Sequence, residues 1–348
     1  MFRCTRAGAI SSSPARIAGP RSPAGRLFAI APRARAELDL AIVSVLLDAG
    51  AGPDWRYRDE ASGQAIGRSE GLALASLAAF AAGDFSSRPE DPLRVDAAAL
   101  RALSLETLQS GLQVSDANPL PGLVGRRDLL RRLGEVAAAS PAVFARRDDP
   151  RPGGLFDHFA GLAVGGRIPA ALILSELLEH LGPIWPSRLT LGGVPLGDCW
   201  RHPALKYPDA TDGLVPLHKL SQWLAYSLIP PLEAGGVQVD DLDGLTGLAE
   251  YRNGGLFVDT GVLLRRTPAD RAAYEVDDPL IVEWRALTVA LLDRLAAPVR
   301  ERLGLDAKTF PLAKVLEGGA WSAGRRIAQR LRADGSPPIR VVSDGTVF

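Results

Sequence analysis

Long stretches of this chain repeat apolar residues at the three-to-four-residue interval of an α-helix, and few alternate at the interval of a strand. That period restricts the fold before any single residue is considered. "AELDLAIVSVLLDAG" reads as a helix that ends at Gly50. "SEGLALASLAAFAAG" offers Ser69 as a cap, Glu70 in the first turn and Gly83 as a stop. Further helices are expected near 96–111, 126–139 and 169–181, with Pro169 in a first turn. Residues 84–95 and 140–154 are rich in Pro, Asp, Arg and Gly and read as loops.

Strand signals are sparse. "SRLTLGGVPLGD" fits a short hairpin bent at its glycines, and "GLFVDTGVLL" fits two short strands around Thr260-Gly261. In "PPIRVVSDGTVF" two β-prone runs flank Asp344-Gly345, a good hairpin turn. A parallel α/β sheet needs more strands than these, so the fold class expected is mainly α with a few short β-hairpins.

The first 35 residues stand apart, with seven arginines, no acidic residue, and scattered Ser, Pro and Gly. They read as a disordered or targeting-like basic tail. The rest of the 348 residues is expected to form a single domain, with a helical part over 36–150 and a site-bearing part over 151–348. The 40 basic residues are balanced by 40 acidic ones, whereas a duplex-binding protein normally has a basic excess, so no nucleic-acid partner is expected. No apolar run reaches the roughly 18 residues of a membrane span. Two cysteines make a disulfide framework implausible. A cytoplasmic protein without membrane partners is the resulting expectation.

Chemistry concentrates after residue 197. In "PLHKLSQWLAYSL", Leu217, Leu220, Leu224 and Leu228 form one helical stripe facing the core. Lys219, Gln222, Trp223 and Tyr226 share the opposite face, which would give a pocket a cation, an amide and two aromatic walls. Otherwise that face is simply solvated. In "DDPLIVEWRALTVALLDRLAAPVRERLG", Leu280, Trp284, Leu287, Leu291 and Leu295 define the apolar stripe, and Glu283 lies on the same side. A carboxylate there is paired, with an arginine such as Arg252 as partner, exposed at the rim, or functional, its pKa raised by desolvation if it is buried without a cation. In "LGDCWRHP", Asp198 and His202 can line a polar pocket or cap a turn. Cys199-x-x-His202 is only half of a zinc site, and His158, His180 and His218 complete no ligand spacing, so neither metal nor cofactor is expected. A helix beginning near Ser322, with Arg325 and Arg326 following, would present free N–H groups to an anion; otherwise Gly318, Gly319 and Gly324 simply end one helix and start the next.

The strings "RPGGLFDHF", "LGPIWPSR", "LGDCWRHP", "LTGLAEYRNGGLFVDTGVL", "LIVEWRALTVALLDRLA" and "LAKVLEGGAWSAGRRIA" resemble the uracil catabolism protein 4 family, over about residues 150–348. "HKLSQWL", "LTGLAEYRNGG" and "EWRALT" are also similar, in order, to three motifs of the queuosine-salvage N-glycosylases, helical proteins akin to DNA glycosylases. Those enzymes cleave a base from a ribosyl 5′-phosphate with the Asp of an Ala-Asp-Tyr tripeptide. Here Glu250 stands at that position, one methylene longer. The resemblance implies a DNA-glycosylase-like helical domain and Glu250 as catalytic carboxylate, with Glu283 as a second. It also implies a ribosyl phosphate substrate held by Lys219, Gln222, Tyr251, Arg252, Asn253 and Arg285, and other uracil catabolism enzymes as partners. Gly254 and Gly255 would let the backbone approach the sugar.

The leading expectation is therefore an N-glycosidic hydrolase releasing urea, or a ureido group, from a ribosyl 5-phosphate intermediate of pyrimidine degradation. Two alternatives stand beside it: hydrolysis of a C–N bond in the opened ring, and a non-catalytic carrier or scaffold for that intermediate.

Overall fold

A computed structural model describes residues 23–342 apart from 49, 53, 146–148, 187 and 267–271, with side chains from residue 30 onward. Helices dominate: α1 (Pro23–Leu47), α2 (Arg68–Ala82), α3 (Ala97–Ala102), α4 (Leu105–Gly111), α5 (Leu123–Ala139), α6 (Pro141–Phe144), α7 (Leu155–Leu162), α8 (Ala170–Leu181), α9 (Lys219–Ala234), α10 (Tyr251–Asp259), α11 (Pro279–Leu303), α12 (Leu312–Lys314) and α13 (Ser322–Leu331). The strands are β1 (Arg56–Arg58), β2 (Ala65–Gly67), β3 (Arg167–Pro169), β4 (Thr190–Leu191), β5 (Val194–Pro195), β6 (Cys199–Arg201), β7 (Leu214–Pro216) and β8 (Gln238–Asp240). They pair only in twos: β1 with β2, β4 with β5 and β6 with β7 antiparallel, and β3 with β8 parallel. The fold is mainly α with short hairpins.

The first core runs from Ala34 on α1 to Leu245, so the helices before residue 150 and those after it share one apolar interior. Helix α1 packs along α9 at its centre. Two smaller cores lie beyond it, one around Trp200, Ile281 and Trp284, the other around Phe257, Leu292 and Leu316. Trp223 and Tyr226 touch both the first core and the third. Glu250 follows Leu248 of the third core and Ala249 of the second.

Buried charges lock α1 in place. The Asp39 carboxylate, fully buried, accepts the Arg151 guanidinium, the Val95 N–H at 2.9 Å and the Gly153 N–H at 2.5 Å. A Cβ at Gly153 would stand 2.2 Å from the Arg35 carbonyl oxygen, which is why the "RPGG" turn can lie against α1. The buried Arg126 guanidinium caps the other end of α1, donating to the Leu47 and Gly50 carbonyls at 2.9 and 3.2 Å. Burial pulls its pKa down to about 10.

Several local expectations change. Helix α1 begins at Pro23, inside the stretch expected to be a tail; Ala34 is buried and Arg35 pairs with Asp157 at 2.6 Å. The span 96–111 is two helices, because Ser104 turns out of the first to cap the second through the Thr107 N–H. Within 140–154, α6 and a 3-10 turn over Pro152–Gly154 interrupt the loop. Ser69 caps nothing: α2 starts at Arg68, with Gly67 before it, and Gly83 stops it at φ +84° as expected. Around Thr260-Gly261 there are no strands: residues 251–259 are α10, because the Glu250 side chain caps that segment and Phe257 buries on its helical face. The expected 192–193 bend is a hairpin turn with both glycines at positive φ. The Asp344-Gly345 turn lies outside the described residues; before it, Val341 bridges Tyr274. No free helix start exists at Ser322, since α13 continues a π-helical turn over Val315–Trp321. Among the described residues no helix is long and apolar enough to cross a membrane.

Candidate active site

Glu250 is buried at the N-terminus of α10. One carboxylate oxygen accepts the Arg252 N–H at 2.8 Å and the other the Asn253 N–H at 3.1 Å. Each oxygen keeps a further lone pair for a ligand. Burial raises the Glu250 pKa; the two N–H groups, Lys219 and Arg252 pull it partway back. Lys219, at the start of α9, also lies in the field of Asp48, another carboxylate whose pKa burial raises. The Lys219 ammonium makes no hydrogen bond or ion pair among the described residues.

Asp198 and Arg285 brace this pair. The guanidinium meets both Asp198 oxygens at 2.7 and 2.8 Å, and its Nε donates to the Ala249 carbonyl at 3.3 Å. Asp198 also accepts the Lys219 N–H at 2.9 Å and the Trp200 indole N–H at 2.6 Å. Burial alone would raise the Asp198 pKa, but Arg285 and these donors hold it at about 2. Beside them His218 adopts φ +45°, a left-handed conformation uncommon for histidine, and burial lowers its pKa. His218 and Cys199 border a cavity of about 500 Å³ walled by Leu178, Trp185, Leu196 and Tyr207; Glu250 is not on its wall.

On the other side of Glu250 lies a cluster of cations. The Arg252 guanidinium sits 5.0 Å from the Tyr251 ring centroid and 5.7 Å from that of Trp321, and Arg325 sits 5.3 Å from Trp321. Gly324 permits this approach, because a Cβ there would stand 2.3 Å from the Arg252 carbonyl oxygen. Arg68 joins from the start of α2 at φ +61°. Its pKa is lowered by burial and by the charges of Arg252 and Arg325. Arg325 has Glu70 as a partner at 2.7 Å, while the Arg68 guanidinium makes no hydrogen bond or ion pair among the described residues.

Two polar groups of the neighbourhood lack hydrogen-bond partners among the described residues. The Asn253 side-chain carbonyl oxygen and the Trp284 indole N–H are both buried without a hydrogen bond. Gly254, on α10 beside Asn253, faces α11 rather than a sugar; a Cβ there would come within 2.7 Å of both the Thr288 hydroxyl and that indole nitrogen. At Gly255 the nearest atom to a Cβ would be in Pro338.

The structure thus gathers Asp198, Lys219, Tyr251, Arg252, Asn253 and Arg285 around Glu250. Gln222 is buried and accepts the Thr246 N–H at a long 3.4 Å. Trp223 and Tyr226 fill the seam between two cores, where the Tyr226 hydroxyl donates to the Thr246 carbonyl at 3.0 Å. Glu283 is not part of the group. The buried face of α11 carries Ile281, Val282, Trp284, Arg285, Thr288 and Leu292, which turns Glu283 out to solvent, and Arg252 stacks on rings instead of pairing with it. His202 follows β6 on a half-exposed turn, where its Nδ1 accepts the Ala204 N–H at 3.2 Å. Arg68, Asp48, Glu70 and His218 were missed; only the positive φ angles of Arg68 and His218 mark two of them, and those are invisible in sequence.

Outside this group, His158, Glu176 and His180 bring their ligand atoms within 4.8 Å of one another, a cluster that the sequence spacing of the histidines did not suggest. Sequence spacing hid the trio because it joins two helices.

The fold and site define a mainly helical protein with a desolvated carboxylate flanked by cations. The chain belongs to a family described as a protein of unknown function (DUF1688), whose model matches residues 24–348. It is similar to protein urg3 of Schizosaccharomyces pombe, 46% identical over 316 residues that cover 89% of this chain and 75% of that one. It is also similar to uracil catabolism protein 4 of Lachancea kluyveri, 39% identical over 340 residues that cover 89% of this chain and 76% of that one.

Proposed function

We propose that the protein acts in uracil catabolism as an N-glycosidic hydrolase that releases urea, or a ureido group, from a ribosyl 5-phosphate intermediate. The observation that carries this reading is a buried carboxylate near an ammonium and a group of arginines, in which the Lys219 ammonium and the Arg68 guanidinium have no ion pair among the described residues. A glycosidic bond breaks through a cation-like ribosyl centre, which a carboxylate stabilises or attacks. Glu250 would face that centre through its free lone pairs. Arg252, Arg68 and Arg325 would hold the phosphate, since guanidinium groups match its oxygens in pairs. Asn253 Oδ1 and the Trp284 N–H would find their missing partners on the ribose or the departing group. The name of the Lachancea kluyveri relative supports the pathway; the glycosidic step rests on the three-motif resemblance and on this carboxylate.

A second reading has one observation in its favour. Both Glu250 oxygens already cap α10, which suits a carrier that binds the opened intermediate without turnover. Incubating the full chain with ribosylurea 5-phosphate distinguishes the two. Urea and ribose 5-phosphate released in equal amounts support hydrolysis of the ribosyl bond; binding without products supports a carrier; ammonia released with the ribosyl bond intact points to hydrolysis of a ureido C–N bond instead.

A further inference from the structure

We infer that His158, Glu176 and His180 form a binding site for one divalent cation of the zinc class, outside the Glu250 group and independent of the function proposed above. Glu176 and His180 are one helical turn apart on α8 and so share a face. His158 reaches them from α7. Both imidazole Nε2 atoms converge on the same carboxylate oxygen, His158 at 2.6 Å and His180 at 3.2 Å, with the rings edge to face at 5.0 Å between centroids.

Three features favour an ion over a plain hydrogen-bonded tie. First, among the described residues the ion-pair partners of Glu176 are the two imidazoles, which converge on one carboxylate oxygen, with no Lys or Arg competing for it. With both rings neutral, the trio carries one negative charge and two ring nitrogens, a donor set that suits zinc, cobalt or nickel better than magnesium or calcium. Second, the two nitrogen–oxygen spacings are near what an ion needs, and the three ligand atoms all lie within 4.8 Å of one another. Zinc bonds of about 2.1 Å place tetrahedral ligand atoms about 3.4 Å apart. The His180 separation nearly meets that already, and the His158 side chain must open by only about 0.8 Å. Third, the three side chains are 19%, 16% and 22% exposed, enough for an ion to enter and for a water to take a fourth position. The bound ion would clip α7 to α8.

The test uses the full chain stripped with a chelator and returned to metal-free buffer. Calorimetry with Zn²⁺ should show one ion per chain, and Co²⁺ should give visible d–d bands characteristic of mixed imidazole and carboxylate ligation. Glu176→Gln and His180→Ala should each weaken Zn²⁺ more than the roughly 10–100-fold expected for loss of an outer-shell contact. Zn²⁺ should raise the melting temperature of the wild type and leave that of Glu176→Gln unchanged. If the wild type takes up no ion, or if both variants bind as tightly as the wild type, the site is a hydrogen-bonded tie and the inference falls. Should either variant fail to fold, X-ray absorption on the Co²⁺-loaded wild type decides: two imidazole nitrogens support the site, and oxygen-only ligation overturns it.

Discussion

Arg285 grips both oxygens of Asp198, and that single pair fixes two ends of the site. Asp198 receives the N–H of Lys219, where α9 begins, and Arg285 donates to the carbonyl of Ala249, one residue before Glu250. The ammonium and the carboxylate come from segments about 30 residues apart, and this buried pair sets the spacing between them.

Arg285→Met should therefore cost stability and alignment together. It leaves the Asp198 carboxylate buried without its cation, a loss of about 3–5 kcal/mol. Adding Asp198→Asn should restore much of that. The linkage has a definite sign. Asp198 has a depressed folded pKa, so its contribution is complete above its unfolded value near 4 and fades as the pH falls towards about 2. Urea denaturation of the wild type and both variants between neutral pH and pH 3 checks this; equal stability of the Arg285→Met chain at pH 7 would refute it.

Glu250→Gln should remove turnover of ribosylurea 5-phosphate while largely keeping affinity. The amide fills the same volume but supplies no negative charge, which is worth about 3–4 kcal/mol, or roughly 100- to 1000-fold in rate. Single-turnover kinetics with calorimetric binding measures both, and near-native turnover would reduce Glu250 to a helix cap.

Lys219→Ala should shift the acid limb of activity to higher pH. Lys219 lowers the Glu250 pKa, so its removal lets burial raise that pKa further. A carboxylate that must be ionised then loses its charge at a higher pH. An acid limb that stays in place would show that Glu250 is not the titrating group.

Arg68→Ala should weaken ribose 5-phosphate by about tenfold or more, as expected for loss of a hydrogen bond to a charged group. Binding of unphosphorylated ribose should not change. Calorimetry with both sugars is the measurement, and an equal loss for each would remove Arg68 from the phosphate group.

Gly324→Ala should do damage in two ways. Its Cβ would meet the Arg252 carbonyl, a backbone atom that cannot swing aside, so overpacking of about 1–3 kcal/mol is expected. Helix α13 should move off α10, carrying Arg325 and Trp321 away from Arg252. A variant with native stability and native ribose 5-phosphate affinity would contradict this account.

The sequence by itself determined the mainly helical fold, because an apolar period near 3.6 is a local property. It located the Leu217–Leu228 stripe, all four leucines of which are buried, and it marked Glu250 and Arg252 as neighbours at a break in the pattern. Tertiary structure decided the rest. The rotation of α11 depended on which face its neighbours covered: of the leucines chosen from the pattern, Leu280, Leu291 and Leu295 are half-buried at the edge of the true buried face, while Leu287 and Glu283 are exposed. The segment after Glu250 became a helix because a carboxylate captured two N–H groups there, a hydrogen-bond choice that β propensity does not record. Arg68 met Arg252 and Arg325, and His158 met Glu176, across gaps of 184, 257 and 18 residues in the numbering. Contacts across such distances depend on how helices pack, and a local pattern carries no information about that.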